Sequence, residues 1–167
     1  MTTKHYIQVH DLELKNNWDS LSLDDRIVKI EECTVYLKDF YGLKNWKVEL
    51  KNTKKSLGHC EYNTKTISIS RHMKNYSYDE NRDVILHEIA HALCTHDDGH
   101  GDVWKTCAKD IGCTGNKCAN IDIVKLSNYK ITCPCLVNNF YRIRLTKKMK
   151  QSKCGKCKGL LKIEKIN

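Results

Sequence analysis

His87-Glu88-Ile89-Ala90-His91 sets two histidines four residues apart, close to one helical turn. On a helix both imidazoles point the same way and can grip one Zn²⁺, with the Glu88 carboxylate beside the metal. Upstream, Ser77-Tyr78-Asp79-Glu80 reads as a capping box, so a helix should begin there. Val84, Ile85, Ile89, Ala92 and Leu93 then recur at three- and four-residue steps, which predicts a buried face beside the histidine face. Downstream, Asp97-Asp98-Gly99 is turn chemistry that brings the chain back toward the metal. Two histidines compete to be the third ligand. His96 is five residues past His91, about 140° round a helix, and leaves the ligand face unless the helix has ended. His100, beyond the glycine, is the better placed.

Three neutral imidazoles leave a fourth position for water, whose pKa falls to near 7 in enzyme zinc sites. Glu88 would act as general base on that water and hand the proton to the leaving amine, giving peptide hydrolysis with no covalent intermediate. A purely structural three-histidine site is the alternative, but it has no use for a carboxylate next to its first ligand. Nearby groups have plainer readings. Tyr62, His72 and Tyr76 are expected to pack or face solvent, and Cys94 to be an inert thiol. Asp97 and Asp98 are either a solvated turn or partners that orient an imidazole.

His87-Glu88-x-x-His91 followed by His100-Gly101-x-x-Trp104 resembles the SprT-like (Spartan-type) zinc metalloprotease family. The resemblance runs from residue 22 onward. It implies a minimal zincin-like core of α+β class, a C-terminal cysteine zinc ribbon, and proteolysis of proteins crosslinked to DNA. It also implies that an exposed sheet edge would hold an extended peptide by strand addition.

The flanking sequence supplies a scaffold for such a core. Ser22 with Asp25 opens a helix whose inner stripe is Ile27, Ile30, Thr34, Leu37 and Tyr41, closed by Gly42. Trp46–Leu50 and Thr66–Ser70 alternate with period two and predict half-buried strands. Gly58–Tyr62 with Asn63-Thr64-Lys65 reads as a third strand and a hairpin turn, making a small antiparallel sheet. Asp102 through Ile111 fits a short helix ended by Gly112, with Trp104, Ala108 and Ile111 inward. Residues 1–20 show no clear period beyond a lead-in that docks Trp18. Residues 113–127 read as a linker, with the domain boundary near residue 120: a metalloprotease domain over 1–120 and a basic zinc ribbon over 121–167.

The ten cysteines bear on the compartment. Met1-Thr2-Thr3-Lys4-His5 opens no apolar targeting region, and no stretch reaches the ~18 apolar residues of a membrane span. An intracellular, reducing setting is expected, so clustered cysteines read as metal ligands. Cys133-Pro134-Cys135 and Cys154-Gly155-Lys156-Cys157 have the pairwise spacing of a four-thiolate zinc ribbon, and a Cys-x-Cys first pair resembles SprT-like ribbons. Cys33, Cys60 and Cys107 lack partner spacing, whereas Cys113 and Cys118 are either linker thiols or a second binding pair. Two zinc ions follow, one catalytic and one structural, in a monomer.

The net charge of +9 is segregated. Residues 1–120 hold 17 Lys and Arg against 18 Asp and Glu, while residues 121–167 hold 12 against Asp122 and Glu164. That points to a polyanion partner for the ribbon. Tyr141, Ile143 and Leu145 alternate with Arg142 and Arg144, so one face packs and the other presents guanidinium groups. Arg142, Arg144, Lys147, Lys148 and Lys150 are the candidate contacts, with Phe140 and Tyr141 for base stacking. No base-specific reader is visible, so binding to nucleic acid, DNA above all, should be sequence-independent. A DNA-associated zinc protease leads; a non-enzymatic zinc protein that binds nucleic acid in a regulatory or scaffold role is the alternative.

Overall fold

In the computed structural model, which describes residues 11–94, 99–116, 122–133, 135 and 139–166, the first long helix is α1 (Leu23–Phe40). Its start follows from Ser22, whose side chain accepts from the Asp25 amide at 3.1 Å. It ends at Gly42, which adopts φ +82° while the next amide, of Leu43, returns to the Lys38 carbonyl at 2.8 Å. Ile30, Thr34 and Leu37 form the buried stripe. Ahead of it, residues 11–17 are helical and dock as a lead-in. Trp18 is buried and donates to the Tyr76 carbonyl at 2.9 Å, while Asp11 accepts from Tyr78 at 2.6 Å and Arg82 at 2.8 Å.

Three short strands follow: β1 (Lys47–Lys51), β2 (Gly58–Glu61) and β3 (Thr66–Ser70), in the order β1-β3-β2. The sheet is mixed, not wholly antiparallel as expected. β2 and β3 form the hairpin, and β1 joins on the far side of β3 and, among the described residues, leaves the outer edge of β2 free, with a parallel register from Lys47↔Thr66 to Lys51↔Ser70. The half-buried reading of β3 is overturned too, for all five of its residues are buried and both its faces are therefore covered. The crossover is bonded to the end of the strand: Ser70 donates through its amide to the Leu57 carbonyl at 2.8 Å and through its hydroxyl to that of Thr53. β1 keeps the alternation its sequence predicts.

The motif helix α2 (Tyr78–Leu93) begins at a complete capping box, with the Ser77 amide donating to the Glu80 carboxylate at 2.7 Å and the Glu80 amide to the Ser77 hydroxyl at 3.3 Å. It packs on β2 and on α3 (Asp102–Asp110). Covered from two sides, it buries Leu86 and Ala90 as well as Val84, Ile85 and Ile89, whereas Leu93, expected inside, is 39% exposed near the helix end. Gly112, at φ +86°, follows α3, and Trp104, Ala108 and Ile111 face inward. The expected linker over 113–127 is structured at both ends. Cys113 is buried, with its amide bonded to the Ala108 carbonyl at 2.8 Å, and Ile123–Leu126 form a short helix, α4, capped by Asp122.

The chain divides into two compact units, Met1–Asn120 and Ile121–Asn167. In the second, β4 (Tyr129–Thr132) pairs antiparallel with both β5 (Phe140–Arg142) and β6 (Lys162–Lys165). A short helix, α5 (Lys147–Lys150), capped by the Thr146 hydroxyl, interrupts the second connection. Among the described residues this unit's buried apolar side chains are chiefly Leu126, Ile131, Cys133 and Cys154, so a metal held by its cysteines would supply much of its stability. Among the described residues no helix is long and apolar enough to cross a membrane. Residues 1–10, His96, Asp97, Asp98, Cys118 and Pro134 lie outside the described residues.

Candidate functional site

His87 and His91 project from α2 one turn apart, and Gly99, at φ +54°, turns the chain so that His100 meets them. The three Nε2 atoms form a triangle: His87 to His91 is 3.2 Å, His91 to His100 3.0 Å and His100 to His87 3.1 Å. Burial pushes the His87 and His91 rings down to about 4, so both are neutral at pH 7. The Asn116 backbone favours the protonated form of the His87 ring, as an accepting carbonyl does, and a proton held on that side would leave the Nε2 lone pair facing inward. Lone pairs converging this closely repel unless a cation sits among them. Tetrahedral zinc, with Zn–N bonds of about 2.0–2.1 Å, puts its nitrogen ligands about 3.3 Å apart, so this donor set fits.

Trp104 forms the wall behind the triangle. It is fully buried, and its ring centroid lies 4.7 Å from that of His87, 5.2 Å from that of His91 and 4.6 Å from that of His100. One aromatic side chain on α3 thus borders all three rings, a larger role than the inward packing that its spacing implied.

Glu88 points toward the sheet and is 7% exposed. Burial pushes its carboxyl up to about 8, and a divalent cation at the imidazoles would draw that value down. The carboxylate lies against the backbone of Gly58 on β2, where an added Cβ would fall 2.5 Å from Oε1 and 2.9 Å from Cδ. Glycine is therefore required by the close approach of Glu88. Gly58→Val is expected to displace the carboxylate by roughly 1 Å and lower kcat by about 10²-fold, with zinc content unchanged by metal analysis. Full activity in that variant would show that Glu88 has room to spare.

The family model for the SprT-like family matches residues 30–125. The chain belongs to the SprT-like family. The matched span is shorter than the resemblance from residue 22 onward, and it takes in His87, Glu88, His91 and His100 but stops before the first ribbon cysteine. No curated protein and no solved structure matches this SprT-like chain.

The second cluster lies in the other unit. Sγ atoms of Cys133 and Cys135, of Cys133 and Cys157, and of Cys135 and Cys154 are each 3.4 Å apart, and all four ligand atoms lie within 4.8 Å of one another. Zinc–sulfur bonds of about 2.3 Å require sulfur separations near 3.8 Å, so four thiolates fit one ion with a small expansion. Amides of Cys157 and Lys156 point at Cys154 and hold its thiol down, to about 6, while the Gly159 amide donates to Cys157 at 3.4 Å.

The other expected positions sort plainly. Tyr62 packs edge-on against Trp46 with centroids 6.2 Å apart, Tyr76 is buried, and Cys94 caps α2. Burial pushes the Cys33 and Cys60 thiols up to about 12, leaving them protonated. Cys113 donates to the Asp83 carbonyl at 3.7 Å and belongs to neither metal cluster among the described residues. Arg142, Arg144, Lys147, Lys148 and Lys150 are all exposed, with Phe140 46% exposed among them. Spacing missed Gly58 and Asn116; an isolated glycine opening a strand was the one available signal, since it often marks a close backbone approach.

Proposed function

We propose that this protein is a zinc-dependent peptidase acting on proteins bound or crosslinked to DNA. The observation that carries the reading is the triangle of imidazole nitrogens with a buried, basic carboxylate one residue from its first member. His87, His91 and His100 would hold the ion. When bound, zinc supplies a Lewis acid for the scissile carbonyl and lowers the pKa of water to near 7. Glu88, made more basic by burial, takes a proton from the attacking water and returns it to the leaving amine. Gly58 keeps that carboxylate in place. β2, at the sheet edge and packed against α2, would take an extended peptide as an added strand, reading backbone more than side chains.

Nucleic acid falls to the ribbon, whose cysteines would hold the structural zinc. With about five phosphates neutralised by Arg142, Arg144, Lys147, Lys148 and Lys150, log K should fall against log salt with a slope of about −4 to −5 on any DNA sequence. Charge-neutral substitution at all five should flatten that slope; an unchanged slope would move the contact elsewhere. The reduced thiols suit a reducing compartment, and a monomer is sufficient for both sites.

Incubating a DNA–protein conjugate and the free protein substrate with the enzyme, with and without DNA, tests the whole. Cleavage favoured by DNA is expected. Cleavage indifferent to DNA would leave a general peptidase, and none at all, with tight DNA binding, a non-enzymatic nucleic-acid-binding zinc protein.

A further inference from the structure

Asp83 lies on α2 one turn before His87, where neither the zinc ligands nor the general base uses it. Its carboxylate grips a single residue with both oxygens: Oδ1 accepts from the Thr114 amide at 2.7 Å and Oδ2 from the Thr114 hydroxyl at 2.9 Å. The same hydroxyl accepts from the Asn116 amide at 3.5 Å, and the Asp83 carbonyl accepts from the Cys113 thiol at 3.7 Å. Residues 113–116 are thereby fastened to α2, while the bond from the Cys113 amide to Ala108 fastens them to α3. The segment turns back at Gly112 and Gly115, both in the left-handed region, and delivers the Asn116 backbone to the His87 ring.

We infer that Asp83 is a positioning residue for the zinc site: by clamping Thr114 it sets the Asn116 carbonyl that orients His87. The inference rests on the zinc reading above and adds a residue outside the motif. A ligating imidazole needs its second nitrogen held so that tautomer and ring angle are fixed before the metal arrives, and carbonyl or carboxylate partners do this. Here the carbonyl is on a loop, and a loop carbonyl is only as well placed as the loop. The Asp83 carboxylate, closing two hydrogen bonds on one threonine, supplies that rigidity and adds negative charge that strengthens the ring as a donor.

The test is metal affinity of the full chain, read site by site. Cadmium-113 NMR separates an all-sulfur from an all-nitrogen site, so chelator titration followed by NMR reports each alone. Asp83→Ala should weaken the histidine site by about 10- to 100-fold, as loss of such supporting partners commonly does. Thr114→Val, which keeps the amide but not the hydroxyl, should weaken it less, and Asp83→Asn, which keeps one acceptor, should restore part of the loss. The cysteine site should be unchanged throughout. Wild-type affinity at the histidine site in all three variants, even with a lowered melting temperature, would overturn the inference and leave Asp83 a fastener of the loop only. A wild-type protein that takes no cadmium at its histidines would instead sink the zinc reading, and this inference with it.

Discussion

Glu88→Gln should abolish peptide hydrolysis, cutting kcat by at least about 10²–10⁴-fold while zinc and DNA binding persist, because the amide has the carboxylate's shape but cannot accept the proton. Steady-state cleavage beside metal analysis checks it, and cleavage at the wild-type rate would remove Glu88 from the mechanism. The same variant has an opposite effect on the zinc-free protein. Burial holds the folded carboxyl at about 8 against an ordinary 4.5. A group raised in this way contributes stability below pH 4.5 that is lost as pH rises through 8. Relative to Glu88→Gln, the zinc-free wild type should therefore lose stability progressively across that window, read as a falling denaturation midpoint. Parallel curves for the two proteins would mean that the carboxyl is better solvated than its burial indicates.

Trp104→Ala should cost about 3–5 kcal/mol of unfolding free energy, since it empties a fully buried aromatic site. The consequence reaches beyond stability. With the wall gone, all three imidazoles lose the ring that limits their rotation, and zinc affinity at the histidines should fall together with the denaturation midpoint. Trp104→Phe, which keeps an aromatic face, should recover most of the affinity and part of the stability. Chemical denaturation with and without zinc separates the two effects. If Trp104→Ala lowered stability but bound zinc as before, the indole would be core filler that happens to adjoin the metal centre.

What the sequence disclosed was what neighbouring residues decide between themselves. Ser77 and Glu80 cap a helix whatever lies elsewhere, His87 and His91 share a face by the helical period, and Gly112 ends a helix because it tolerates positive φ. The four ribbon cysteines announced themselves by spacing, and the alternation from Tyr141 to Leu145 reappears as alternating exposure. The losses are all non-local. Thr66–Ser70 alternates as a half-exposed strand does, yet all five of its residues are buried and Ser70 is bonded to Thr53, seventeen residues upstream, and no local pattern carries that information. The parallel pairing of β1 with β3 depends on which edge of a hairpin was free. Gly58 and Glu88 meet only because β2 packs on α2, and Thr114 reaches Asp83 only after α3 has turned the chain back. A linker-like composition at 113–116 concealed a segment held by both helices.

The most direct test of the account is an anomalous difference map recorded at the zinc edge on crystals of the full chain. Two peaks are predicted, one among Cys133, Cys135, Cys154 and Cys157, the other equidistant from the Nε2 atoms of His87, His91 and His100 with no further protein atom bound. A peak at the cysteines alone, or a histidine site closed by another side chain, would contradict it.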